Sequence, residues 1–323
     1  MINILPHHLV SNNCFQDTLF MILNWKNYDP IYLYGNSWNF GYIANQSKFG
    51  YRLVANRLEH WNDVVVYKLL EDYYGIQVKH HKNVELRLLK VIVEEELRKN
   101  QPVIIEIDAI YCPWNIAYQK YHSPHHCVIV DKTESGFICV NPIKGENECY
   151  HKIMPFGALK NEIISCITLD FTEQRKEINK NLIAYSMALS ALEGYKGMSD
   201  FQRMQICAKD IEQIILKSEI LKVNDIWAQP LVRGFEWIAW SRINTHKLFI
   251  ELEKYTHSPN YRIYLEKMEQ SKNIWIGIKN YIMKKIMIGD TNIDCRYISN
   301  FIYEVAEIEY NLALQIKKDF TNK

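Results

Sequence analysis

The sequence predicts an α+β half followed by an all-α half. Runs rich in Val and Ile, separated by turn residues, are confined to residues 1 to about 172. Long segments with apolar residues three and four apart fill residues 173 to 323. The composition is that of a globular protein able to bury a sizeable core, with 48% of the 323 residues hydrophobic and 23% charged. The boundary near Thr172 is a change of texture rather than a Pro/Gly linker, so the two domains are expected to be 1–172 and 173–323.

In chain order, "HHLVSNNCFQDTLF" (residues 7–20) sets a polar Ser11-Asn12-Asn13 cap before an apolar run, which predicts a helix beginning at Cys14. A Gly/Asn/aromatic loop follows, "YLYGNSWNFGY". "NRLEHWNDVVVYKLLEDYYG" and "VELRLLKVIVEEELRKN" are amphipathic at helical spacing. "QPVIIEIDAIY" reads as a buried strand. "HCVIVDKTESGFICVNP" reads as a hairpin turning at Ser135-Gly136, and "EIISCITLDF" supplies a further strand. Beyond these, "KNLIAYSMALSALEGYKGMSDFQRMQICAKDIEQIILKSEIL" and "DTNIDCRYISNFIYEVAEIEYNLALQIKKDF" predict bundle helices. Ile298, Phe301, Ile302, Val305 and Ile308 mark one buried face, and Trp227, Phe235, Trp237 and Trp240 are expected in the bundle core.

Several function classes are disfavoured. The formal net charge is +1, from 38 basic and 37 acidic residues with no basic run, so the footprint of a nucleic-acid binder is missing. The N-terminus lacks signal-peptide character and no apolar stretch reaches spanning length, so no membrane partner and a cytoplasmic location are expected. The eight cysteines are scattered with no CxxC pair, which predicts reduced thiols and no metal site. Cys127, Cys139 and Cys166 sit in apolar strand-like runs as small hydrophobes.

Cys14 is different, because a helix N-terminus lowers a thiol pKa and supplies unpaired N–H groups. Those donors, with Asn12, Asn13 or Gln16, are candidates to hold an oxyanion. His126 opens the strand "HCVIVD", where it can act as base, and Asn141 ends the next strand in "CVNP", where it is expected to orient His126. His125 is expected on the opposite face.

Cysteine, then histidine on one strand, then asparagine on the next is the papain-like order. Together with "HHCVIV", "ICVNP", the loop "YLYGNSWNFGYI" and "EIDAIYCPWN", it resembles the butirosin biosynthesis protein H-like acyltransferase family over residues 7 to about 143. That family usually has Asp-His where this chain has His125-His126, and Asp-Pro where it has Asn141-Pro142. The resemblance implies a papain-like catalytic domain followed by the α-helical domain, and acyl transfer from a carrier-protein thioester to an amine in natural-product assembly. Cys14 would carry the acyl group, His126 would act as base and acid, and Asn141 would orient His126. No cofactor is implied beyond the phosphopantetheinyl arm of an acyl or peptidyl carrier protein. The acceptor would be a small-molecule or peptidyl amine.

Asp108 and Tyr111 match the family's Asp-aromatic-Pro stretch and are substrate-binding candidates, as are Trp38 and Phe40 in the aromatic loop. The helical domain is expected to close the site or dock the carrier. Two other classes use the same residues: a cysteine peptidase, amidase or thioester hydrolase, which admits water, and a non-catalytic carrier-docking scaffold.

Overall fold

A computed structural model of the chain describes residues 1–43, 54–59, 63–141, 151–159, 164–171, 179–195, 197–213, 220, 226–255, 260–290 and 292–321. In chain order these residues form α1 (Cys14–Trp25), β1 (Gly41–Tyr42), β2 (Leu58–Glu59), α2 (Asp63–Tyr74), β3 (Gln77–Val84), α3 (Leu86–Arg98) and β4 (Val103–Asp108). Strands β5 (Pro124–Lys132), β6 (Gly136–Val140), β7 (His151–Pro155) and β8 (Ile164–Asp170) follow. The remaining helices are α4 (Lys180–Glu193), α5 (Asp200–Gln213), α6 (Pro230–Glu253), α7 (Tyr261–Met287) and α8 (Cys295–Thr321).

The chain divides into two compact units, Met1–Tyr32 with Tyr67–Glu177, and Leu33–Val66 with Ile178–Lys323. The first holds a six-stranded sheet in the order β3-β8-β4-β5-β6-β7, antiparallel at every pairing. Alternation along the strands separates its two faces. On one, Val103, Ile105, Ile107, Cys127, Ile129, Cys139 and Cys166 pack with Leu89 and Val93 of α3. The three strand cysteines are fully buried, as small apolar residues should be. The other face carries Ile104, Glu106, His126 and Val128, and α1 packs on β5 there through Phe15, whose ring centroid lies 4.9 Å from that of His126.

Local signals stop the helices where expected. After α2, Gly75 adopts φ +66 and the N–H groups of Gly75 and Ile76 bond back to Glu71 and Leu70. Asn27 and Asn100 play the left-handed role after α1 and α3. The β5–β6 hairpin turns at Gly136, where an added Cβ would lie 2.3 Å from the Met154 carbonyl oxygen of β7.

The second unit gathers α4 to α8 with the β1–β2 ribbon, whose register pairs Gly41 with Glu59 and Tyr42 with Leu58. The segment 33–66 thus packs with the helices, although its place in the sequence assigned it to the α+β half. The reason is its side chains. Trp38 and Phe40 are enclosed, at 1% and 2% exposure, and Phe40 stacks on Trp275 of α7 at 5.7 Å. The Phe40 N–H donates to Asp200 of α5 at 3.0 Å, and Arg57 pairs with Asp210 of the same helix. On α6, Gly234 lets Leu58 approach to within 2.7 Å of where a Cβ would be. Ile298, Ile302 and Val305 are buried along α8, as the helical spacing predicts. Of the four expected core aromatics, Phe235 is fully buried, Trp237 and Trp240 are half-buried, and Trp227 is 47% exposed. Trp227 sits in a short 3-10 turn, Ile226–Ala228, ahead of α6, and so escapes the helical stripe. Among the described residues no helix is long and apolar enough to cross a membrane.

Candidate active site

Cys14 is the first residue of α1, directly after its cap. Asn13 Oδ1 accepts from the Gln16 N–H at 2.8 Å, and Gln16 Oε1 accepts from the Asn13 N–H at 3.0 Å, closing a reciprocal capping box. The N–H groups of Cys14 and Phe15 precede any intrahelical acceptor. One turn on, the buried Asp17 carboxylate accepts from the Leu9 N–H at 3.2 Å and the Asn12 amide at 3.0 Å, and meets His8 Nδ1 at 2.7 Å. The polar segment before Cys14 is thereby fixed to the helix that carries it.

Cys14 Sγ lies 3.5 Å from His126 Nδ1. This contact joins the start of α1 to the start of β5 across 112 residues of sequence. Burial pushes the thiol up to about 11, opposed by backbone hydrogen bonds from His126, Phe15 and Cys14 itself. Burial also pushes the His126 imidazole down to about 3, helped by the neighbouring His125 and His80. The resting pair is therefore a neutral thiol beside a neutral imidazole. An imidazole accepting at Nδ1 holds its own proton on Nε2. Such a pair transfers the proton as the sulfur attacks, rather than storing an ion pair beforehand.

This sets a stability window. Between His126's ordinary 6.5 and its native value of about 3, the unfolded chain binds a proton that the native chain refuses, so stability falls as pH drops through that range. Between the ordinary thiol value of 9.0 and about 11, the native chain keeps a proton that the unfolded chain has lost, so stability falls again as pH rises. Each unit is worth about 1.4 kcal/mol. Across pH, the melting temperature of the wild type should fall more steeply toward acid than that of His126→Asn, which lacks the His126 term; parallel curves would contradict the assignment.

The structure gives Asn141 a different partner from the one expected. Its Oδ1 meets His125 Nε2 at 2.7 Å, and His125 is only 7% exposed. The cause is a β-bulge. Near the turn Lys132 pairs with Phe137 and Asp131 with Ile138, but beyond Ile129 the register slips so that Val128 pairs with Val140. An unbroken hairpin would have put Asn141 opposite Val128, on the face of His126; the slip puts it opposite Cys127, on the face of His125. Asn141 and His125 thus brace the strand end from behind. Pro142 and Cys149 lie outside the described residues.

The other candidates distribute as follows. Asn12 is engaged by Asp17, and Asn13 and Gln16 by each other, so the donors that face the sulfur are the backbone N–H groups of His126, Phe15 and Cys14 itself. Asp108 caps the short turn after β4, accepting from the N–H groups of Ile110 at 3.2 Å and Ser123 at 3.0 Å and meeting His122 Nδ1 at 2.5 Å. It fastens the 109–123 loop instead of facing a substrate with free oxygens, and His122 is held with it. Tyr111 is 40% exposed on that loop. Trp38 and Phe40 are core residues of the second unit; Trp38 Nε1 donates to Glu309 at 2.9 Å. An aromatic loop sequence cannot distinguish a substrate wall from a core anchor. Among the described residues no cluster of His, Cys, Asp or Glu is arranged to hold a metal ion.

Residues 13–141 match the family model described as butirosin biosynthesis protein H, N-terminal. This segment of the chain is similar to that family. The match begins at the helix cap Asn13 and ends at Asn141, so it contains Cys14 and His126 with their supporting strands and loop. No curated protein matches the chain.

Proposed function

We propose that the protein is a cysteine-dependent acyltransferase of natural-product, antibiotic-type biosynthesis, moving an acyl group from a carrier-protein thioester to an amine. The observation that carries this reading is the Cys14 Sγ to His126 Nδ1 contact of 3.5 Å at the start of a capped helix. The family match over the same segment supports a biosynthetic role.

In the first step the Cys14 sulfur bonds to the thioester carbonyl carbon while its proton passes to His126 Nδ1. The C–S bond to the carrier arm breaks, and the departing sulfur takes the proton from His126. The backbone N–H groups of Cys14 and Phe15 face the oxyanion formed between these events. In the second step an amine forms the C–N bond as the C–S bond to Cys14 breaks, with His126 taking a proton from the attacking nitrogen and passing it to the Cys14 sulfur. A thioester donor suits this machinery, since one sulfur ester is exchanged for another at little cost. Asn141 acts at one remove, holding His125 and with it the strand end that presents His126.

The test is product analysis. An acyl-loaded carrier protein incubated with the enzyme and a panel of amines should yield amide in a Cys14-dependent manner. Free acid alone, at every amine concentration, would move the assignment to a thioester hydrolase. No donor consumption with any carrier would leave the scaffold reading.

A further inference from the structure

Two carboxylates, Asp108 and Glu106, lie on the His126 face of β4, and they differ in one respect. Asp108 spends its oxygens on Ile110, Ser123 and His122. Glu106 forms no hydrogen bond or ion pair among the described residues, yet it is half-buried. It is the direct cross-strand partner of His126 on one side and of Ser165 in β8 on the other. Side chains so paired share a face, with Cβ atoms about 5 Å apart. A second open polar group lies on that face. His80 pairs with Ile167, which pairs with Ile104, so His80 has the parity of Glu106 and His126. Its Nδ1 meets the Tyr67 hydroxyl at 3.3 Å, while its Nε2 is buried with no partner. An unpaired carboxylate and a buried, unpartnered imidazole nitrogen on the sheet face of His126 are polar groups whose partner can arrive with the substrate.

We propose that Glu106 is the seat of the acceptor, binding the ammonium group of the incoming amine beside acylated Cys14. The proposal rests on the acyl-transfer reading and adds the acceptor's chemical class, a primary alkylammonium. Such an amine is cationic at neutral pH, as the lysine side chain is. It must be held at the thioester and lose protons there. Its nitrogen forms the new C–N bond to the acyl carbon as the C–S bond to Cys14 breaks. Of the two protons that nitrogen loses, one reaches the Cys14 sulfur by way of His126 and the other goes to solvent. A fixed negative charge also orders the amine ahead of water, which biases the acyl-enzyme toward transfer.

The test uses the full chain, wild type and Glu106→Gln, with the acetyl thioester of N-acetylcysteamine as donor. Two nucleophiles are compared: 1-butylamine, a cation at neutral pH, and hydroxylamine, largely uncharged there. The proposal expects Glu106→Gln to raise the KM for butylamine by about 10- to 100-fold, the loss of one charged contact. Hydroxylamine kinetics and the rate of Cys14 acetylation, read by intact mass, should change by less than about two-fold, well inside one such contact. Glu106→Asp, which keeps the charge, should recover part of the butylamine effect and serves if Glu106→Gln melts early. An unchanged butylamine KM in both variants overturns the proposal. So does equal slowing of both nucleophiles with slower Cys14 acetylation, which would make Glu106 a positioning residue for His126. Absence of any acetyl-Cys14 in the wild type, with this donor and with loaded carriers alike, is a separate result that removes the acyl-transfer reading and this proposal with it.

Discussion

Replacing either Cys14 or His126 by alanine should lower acyl transfer by on the order of 10³-fold or more, with little loss of stability. In the proposed mechanism the two act as one unit. The thiol is neutral at rest, pushed up to about 11, and becomes a nucleophile only as His126 takes its proton. Without that acceptor 3.5 Å away, attack must wait for the rare thiolate, and members of such a unit each cost nearly the whole effect when removed. The double variant should be scarcely worse than either single one. Asn141→Ala provides the contrast. It deprives the buried His125 of a 2.7 Å hydrogen bond, which should cost about 1–3 kcal/mol of stability while lowering the rate far less than His126→Ala. Steady-state rates with a loaded carrier, alongside denaturant midpoints, read both; a rate loss for Asn141→Ala as deep as that for His126→Ala would return Asn141 to the triad.

The second large effect belongs to the helical unit. Glu309 of α8 is fully buried and accepts from Arg242 Nε and Nη2 at 2.9 Å each, from Trp38 Nε1 at 2.9 Å, from Trp275 Nε1 at 3.3 Å and from the Ser271 hydroxyl. Arg242 is equally buried. Glu309→Ala would strand Arg242 Nε and Nη2 and two indole N–H groups without an acceptor, leaving the Asn39 carbonyl and the Ser241 hydroxyl to hold Nη1, which is far costlier than the pair itself is stabilising. A loss of about 3–5 kcal/mol is expected in denaturant unfolding. Glu309→Gln, which keeps an acceptor oxygen but not the charge, should lose less. A change below about 1 kcal/mol for Glu309→Ala would mean that the network contributes little.

Much of the first unit could be read from local chemistry. The polar Ser11-Asn12-Asn13 stretch ahead of an apolar run announced the cap before Cys14, and the β-branched runs around Ser135-Gly136 announced the hairpin. What escaped were features whose cause is not local. Strand β3, "QVKHHKNV", carries lysines and histidines because it is an edge of the sheet, and so lacks the apolar run that marks the central strands. The bulge between Ile129 and Asp131 leaves no mark in the sequence, yet it decides which histidine Asn141 meets. Trp38 likewise takes its role from Glu309, 271 residues later. Glu106 passed unnoticed inside an apolar strand because its relation to His126 depends on a strand pairing that no spacing rule prints. Residue types announced the Cys14–His126 pair; register selected their neighbours.

The most direct measurement of the central claim is the intact mass of the protein after mixing with acyl-loaded carrier proteins. The account predicts a gain equal to the acyl group, absent in Cys14→Ala, slowed in His126→Ala, and discharged when an amine is added. An acyl adduct that persists in Cys14→Ala, or no adduct and no donor loss with any carrier, would contradict it.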